Sequence, residues 1–207
     1  MIISLTGFMG CGKSSVGRKL STLLSCSYVD LDSYIEETAG RTVPEIFASD
    51  GEAVFRKMEL EALGTVIYGQ QERVMKQSLP SQAMGPSLCG QRGSTVSSPS
   101  PAAPETSPEI ILSLGGGTVM TKECAEIVNE KTVCIYLRAS VDTLVSHLEN
   151  ESEGRPMLAG GDIRSRVTEL MNLRASTYEN TAHIIIDTDG KSVEDICIEI
   201  DSRLKTL

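Results

Sequence analysis

Gly7-Phe8-Met9-Gly10-Cys11-Gly12-Lys13-Ser14 is the stretch that decides the class of this chain. The octet fits G-x-x-x-x-G-K-[ST], the pattern of a phosphate-binding loop. It also stands in the context that the pattern requires. A short apolar run with strand character, Ile2 to Leu5, precedes it, and Val16, Leu20, Leu23 and Leu24 follow at helical spacing. A strand–loop–helix unit of this kind aims successive backbone N–H groups, and the positive end of a helix dipole, at a polyphosphate. Glycines at 10 and 12 let the main chain take positive φ and approach the ligand closely. Lys13 can reach the β- and γ-phosphates, and Ser14 can offer its hydroxyl to Mg²⁺. The loop predicts binding of ATP or GTP.

The rest of the chain has the composition of a small globular enzyme. Its 207 residues suffice for one domain with a substantial core. An apolar fraction of 40% and a mean hydropathy of −0.05 are globular values, and no apolar run is long enough to cross a membrane. Met1 leads directly into the first strand, so no signal or transit peptide is expected and the predicted compartment is the cytoplasm. Six cysteines, at 11, 26, 89, 124, 134 and 197, form no C-x-x-C pair and read as reduced, packed thiols. Cys11 reads as a small residue that fits the loop. The net charge of −9 argues against a nucleic-acid partner, though not against a small anion met by a few converging arginines.

Strands and helices alternate outward from the loop. Ser27 to Leu31 reads as a second strand ending in Asp30-Leu31-Asp32, followed by a brief helix that stops near Gly40. Thr42-Val43-Pro44-Glu45 has the form of a capping box with proline in the first turn. Gly51 interrupts that helix, and Glu52 to Ile67 continues as a longer one. Further strands are predicted at Ile110–Leu114, Val133–Leu137 and Ile184–Ile186. Helices are predicted near Lys122–Asn129, Val141–Leu148, Ile163–Ala175 and Val193–Leu204. Five short apolar strands separated by helices predict an α/β fold of three layers, a parallel sheet with helices on both faces. Ligands of such folds sit beyond the carboxyl ends of the strands. The segment 78–108 breaks the pattern: it holds eight serines and six of the eight prolines, with no aromatic residue. Such a stretch cannot bury enough apolar surface to offset its ordering entropy, and it reads as a disordered insertion in a single domain spanning 1–207.

Chemistry beyond nucleotide binding is concentrated at the strand ends. In an extended segment Asp30 and Asp32 would point the same way, one supporting Mg²⁺ directly or through water, the other accepting a proton from an attacking hydroxyl. The competing reading makes Asp32 a helix N-cap and Asp30 merely polar. Three glycines in Leu114-Gly115-Gly116-Gly117-Thr118 suggest a backbone passing close to a ligand. Arg56, Arg155 and Arg174 are single basic residues in otherwise unremarkable surroundings, and each is a weak signal alone.

Together these stretches resemble shikimate kinase, a family of small P-loop enzymes in the nucleoside-monophosphate-kinase-like group. The resemblance rests on Gly7 to Ser15, Asp30-Leu31-Asp32, Ile46-Phe47-Ala48 with Asp50-Gly51-Glu52, and Phe55-Arg56. It continues through Leu114-Gly115-Gly116-Gly117, Arg155-Pro156-Met157-Leu158-Ala159-Gly160 and Arg174-Ala175-Ser176-Thr177-Tyr178. Without the 31 residues of the insertion the chain would count 176, about the family's size. The resemblance implies strand order 2-3-1-4-5 and ATP-dependent phosphorylation of the 3-hydroxyl of shikimate, in aromatic amino-acid biosynthesis. By the same resemblance Asp32 would hold and deprotonate that hydroxyl, and Ser14 and Asp30, the latter through water, would serve Mg²⁺. Gly10, Cys11, Gly12, Lys13, Ser14 and Ser15 would cradle the ATP phosphates. Arg56 and Arg174 would clamp the shikimate carboxylate, a task suited to a planar bidentate cation. Gly116 and Gly117 would line the acceptor pocket through their backbone. Arg155, on a lid, would neutralise charge on the transferring phosphoryl group alongside Lys13. A monomer acting on ATP and shikimate, without membrane or nucleic acid, is expected.

The chain departs from the family's pattern in two places. The arginine that often precedes the lid and stacks on adenine is absent from Ser146-His147-Leu148-Glu149, where His147 reads as an ordinary helix-surface histidine. The other departure is the insertion. Two alternatives share the phosphate loop. A carbohydrate kinase such as gluconate kinase would not be expected to carry Gly115-Gly116-Gly117 with Arg56 and Arg174. A silent nucleotide-binding module would not need Lys13, Asp32 and Arg155.

Overall fold

The structure, a computed structural model, describes residues 1–78, 108–149 and 162–206, the side chains of 70–78 excepted. Five parallel strands make one sheet: β1 Ile2–Thr6, β2 Ser27–Asp30, β3 Ile110–Ser113, β4 Val133–Arg138 and β5 Ile184–Asp187, in the order β2-β3-β1-β4-β5. Every residue of central β1 is buried, as expected of a parallel strand covered on both faces. Because neighbours along a strand point to opposite faces, β1 shows which helices lie where. Leu5 meets helix α1 (Lys13–Leu23) at Gly17, where a Cβ would fall 3.3 Å from a Leu5 methyl and 2.5 Å from the Tyr28 ring. Ser4, on the other face, shares a 2.7 Å hydrogen bond with Thr132, just past helix α5 (Lys122–Lys131). Helix α8 (Val193–Leu204) joins α1, with the Cys197 thiol donating to the Val16 carbonyl at 3.7 Å.

The helices begin where the sequence supplies caps. Thr42 and Glu45 form the expected capping box at the start of α3 (Val43–Asp50), and Ser192 with Asp195 forms another at α8. Helix α4 (Glu52–Ser78) and helix α7 (Ile163–Thr181) both run past their expected ends, while α6 (Val141–Glu149) gains one residue. One expectation is corrected. The second strand ends at Asp30, which is the N-cap of helix α2 (Leu31–Ala39) and accepts from the Ser33 N–H at 3.3 Å. Asp32 therefore lies in the first turn of a helix, not in a strand. Leu31, fully buried and one turn before buried Ile35, turns the chain at that point.

At the amino ends of the strands the backbone is stitched across three segments. The Glu109 N–H donates to the Met1 carbonyl at 2.8 Å, and the Ser27 N–H donates to the Glu109 carbonyl at 3.2 Å. Among the described residues no helix is long and apolar enough to cross a membrane. The five described cysteines are free, and burial pushes the Cys124 and Cys134 thiols up to about 12. The expected insertion, apart from Ser78 and its closing Pro108, lies outside the described residues.

Candidate active site

Beyond the carboxyl ends of β1, β2 and β3 opens a cavity of about 650 Å³. Its floor is the phosphate loop, which leaves β1 and turns through Gly10 at φ 81° and Gly12 at φ 91° before α1 begins. Gly10, Gly12, Lys13, Ser14 and Ser15 line the cavity, whereas the Cys11 side chain is buried beneath the loop. The Lys13 ammonium, itself buried, donates to the Gly7 carbonyl at 2.9 Å and the Phe8 carbonyl at 3.0 Å. Both carbonyls belong to the loop that a polyphosphate would occupy, so the cation already waits at the anion's seat.

The carboxylates follow from the strand-to-helix junction of β2 and α2. Asp30 accepts from the Ser14 hydroxyl at 2.9 Å and from the Tyr28 hydroxyl at 3.0 Å, both on Oδ2. A hydroxyl and a carboxylate held together at the end of the phosphate loop are hard oxygen donors of the kind Mg²⁺ takes, alongside water and phosphate oxygens. No group of three or more His, Cys, Asp or Glu side chains that could hold a metal occurs among the described residues. Asp32 is in a different environment. Burial pushes its carboxyl up to about 6, with repulsion from Glu59 and Asp30 adding to the effect and Lys13 opposing it.

Glu59 did not stand out in the sequence reading. It is completely buried, accepts from the Arg56 guanidinium at 2.5 Å and from the Thr118 hydroxyl at 2.6 Å, and so fixes Arg56 from behind. Glu52, one turn earlier, takes the other side of the same guanidinium at 2.9 Å. A signal was available: Phe55, Glu59 and Leu63 recur every four residues on the apolar stripe of α4, and a carboxylate on such a stripe needs a buried partner.

The glycine triplet after β3 fits around these side chains. A Cβ on Gly115 would lie 2.7 Å from Asp32 Oδ1 and 3.0 Å from Glu59 Oε1; one on Gly117 would lie 2.5 Å from Arg56 Nη2. At Gly116 the limit is the phosphate loop itself, with Met9 N at 3.2 Å. The Gly116 carbonyl accepts from the Tyr178 hydroxyl and, at 3.4 Å, from Arg174. Tyr178 is buried and stacks on Tyr136 at 5.2 Å, which fixes its hydroxyl against the loop. Arg174, buried as well, lies 6.0 Å over the Phe8 ring.

Lys13, Ser14, Asp30, Asp32, Arg56, Gly116, Gly117 and Arg174 thus line one cavity. Arg155 lies outside the described residues. His147 is exposed on helix α6, as expected, and in addition its Nδ1 lies 2.8 Å from the Gly10 carbonyl and its side chain borders the cavity.

Comparison with known proteins places the chain among relatives. A family model described as shikimate kinase matches residues 9–75 and 102–205. A shikimate kinase of Dictyoglomus turgidum is 32% identical over 98% of this chain and 96% of its own length. That of Thermus thermophilus is 33% identical, over 98% and 89%. Among solved structures, shikimate kinase from Acinetobacter baumannii in complex with shikimate superposes with a TM-score of 0.76 at 24% identity, covering 99% of this chain and 93% of that one. The shikimate kinase of Bacteroides thetaiotaomicron gives 0.74 at 24%, over 99% and 98%.

Proposed function

The chain belongs to the shikimate kinase family, and from that premise we propose how its cavity divides the work of moving a phosphoryl group from ATP to the 3-hydroxyl of shikimate. The observation that carries the reading is one cavity in which a phosphate loop, the half-buried Asp32 carboxylate and two buried or half-buried arginines meet. Such a set suits a substrate with both a carboxylate and a hydroxyl.

The loop N–H groups, Lys13 and Ser15 hold the ATP phosphates, with Gly10, Cys11 and Gly12 supplying backbone. Ser14 and Asp30 hold Mg²⁺, Asp30 through water. The ion offsets charge on the β- and γ-phosphates when bound. Arg56 and Arg174 take the shikimate carboxylate in charge-assisted hydrogen bonds, with Gly116 and Gly117 forming the adjacent wall. Glu59 keeps Arg56 from swinging to solvent. Asp32 accepts the acceptor proton, and a carboxyl titrating near 6 is a better base than one near 4 while still ionised at neutral pH. Arg155 is assigned to the transferring phosphoryl group. The chain is read as one domain acting as a cytoplasmic monomer.

A coupled ADP-release assay offering shikimate, gluconate and a nucleoside monophosphate in parallel tests the reading. Release should depend on shikimate; equal release with gluconate would overturn it. Replacing 78–108 with a short Gly/Ser linker should leave the rate within a few-fold, since a segment of that composition contributes little native contact. Loss of the fold on shortening would make the segment part of the domain.

A further inference from the structure

We propose that His147 is a positioning residue for the nucleotide, a brace from helix α6 that fixes the phosphate loop at Gly10; the proposal rests on the kinase reading above. The bond decides its own polarity. A carbonyl oxygen only accepts, so Nδ1 carries the proton and the neutral ring has its Nδ1–H tautomer. Two successive residues of α6 hold the same glycine. His147 takes the Gly10 carbonyl, while the Leu148 side chain lies where a Cβ on Gly10 would meet it at 3.0 Å.

The carbonyl matters because a peptide is a rigid plane: fixing the Gly10 oxygen also fixes the direction of the Cys11 N–H. That N–H closes a turn onto the Phe8 carbonyl at 3.3 Å, and Gly12 then swings into helix α1 with Lys13 and Ser14 at its start. The other internal tie on the loop is Lys13, bonded to the Gly7 and Phe8 carbonyls. A polyphosphate competes for that ammonium. His147 bonds the loop from outside, so its hold does not compete with the anion. Helix α6 is secured independently by Leu144, Val145 and Leu148, all buried, so removing the imidazole deletes the brace and leaves the helix in place.

The test is the separation of nucleotide from acceptor effects. In His147→Ala, the KM for ATP and the Kd for ADP, titrated without acceptor, should rise together by roughly threefold to tenfold, the loss of one exposed hydrogen bond. The KM for shikimate, kcat and the melting temperature should stay close to wild type. His147→Asn, which puts an amide N–H near the position of Nδ1, should recover most of the loss. Wild-type ADP affinity in His147→Ala overturns the proposal, as does an Asn variant no better than Ala. A parallel fall in ATP binding, shikimate binding and melting temperature overturns it too. If the wild-type chain itself failed to use shikimate, the kinase reading would fall, and the ADP titration would still decide the role of His147.

Discussion

Two glycine loops adjoin in the cleft, and they need glycine for different reasons. At Gly12 of the phosphate loop the reason is backbone conformation alone: its φ is 91°, and a Cβ there would touch nothing within 4 Å. In the triplet after β3 the reason is space. Gly117 has an ordinary φ of −117°, yet a Cβ would land against the Arg56 guanidinium. The first loop is shaped to present its own N–H groups. The second is thinned so that side chains from α2 and α4 can reach past it. Damage to the first should therefore appear as strain and weak nucleotide binding, and damage to the second as misplaced side chains and poor acceptor binding.

The largest effect should come from Asp32, which the triplet admits to the cavity. Asp32→Asn keeps the shape and loses the base, so kcat should fall by about a hundredfold or more with ATP binding intact. The same substitution should stabilise the protein at neutral pH. A folded-state value near 6, above the ordinary 3.8, means that the buried charge opposes folding when ionised. That penalty is relieved as pH falls through 6 towards 4 and is fully present above 6; it amounts to at most about 3 kcal/mol. Wild-type activity and wild-type thermal stability should hence move in opposite directions between pH 5 and 7. A melting temperature that falls in parallel with activity over that range would refute the assignment.

Next in size is Arg56→Ala, expected to weaken shikimate use by about a hundredfold while sparing the KM for ATP. It should also destabilise the fold, by about 3–5 kcal/mol, because Glu59 is left buried without its partner. Adding Glu59→Gln should return much of the stability and none of the shikimate affinity. An Arg56→Ala protein with full shikimate affinity would remove Arg56 from the acceptor side.

The sharpest contrast between the loops is Gly12→Ala against Gly117→Ala. The first should cost about 1–2 kcal/mol in backbone strain and raise the KM for ATP. The second should raise the KM for shikimate about tenfold by displacing one guanidinium, with the KM for ATP spared, and should lower the melting temperature only as far as Arg56 is drawn off buried Glu59. Interchanged outcomes would break the comparison. Smallest is Tyr178→Phe, which removes one of the two donors to the Gly116 carbonyl. A few-fold rise in the KM for shikimate, read beside an unchanged KM for ATP, is expected.

What the sequence made legible follows from the range of each cause. The strands, the capping box at Thr42 and the full extent of α8 have local causes, namely apolar runs and cap residues within four positions of one another. The Asp30–Asp32 stretch looks like strand alternation in the sequence, but the strand ends at Asp30 and buried Leu31 belongs with Ile35 in a helical period. Glu59 was visible as a carboxylate on an apolar stripe, although its partner Thr118 lies 59 residues away. The bond between His147 and Gly10 spans 137 residues and leaves no trace in either neighbourhood. The cradle itself could be read because phosphate chemistry dictates consecutive residues, whereas the groups that support it come from wherever the fold brings them.

The stitching of Met1, Ser27 and Glu109 at the amino ends of the strands has a consequence for how this gene can change. The chain enters β3 at the edge of the sheet opposite the chemistry, and Glu109 is locked to its neighbours on both sides. Helix α4, at about 1.5 Å per residue, puts roughly 33 Å between the acceptor arginine near its start and its last residue, Ser78. Both anchors of the 78–108 segment thus lie away from the cavity, so a peptide inserted between them is expected to leave turnover within a few-fold, which an activity assay on such a fusion checks.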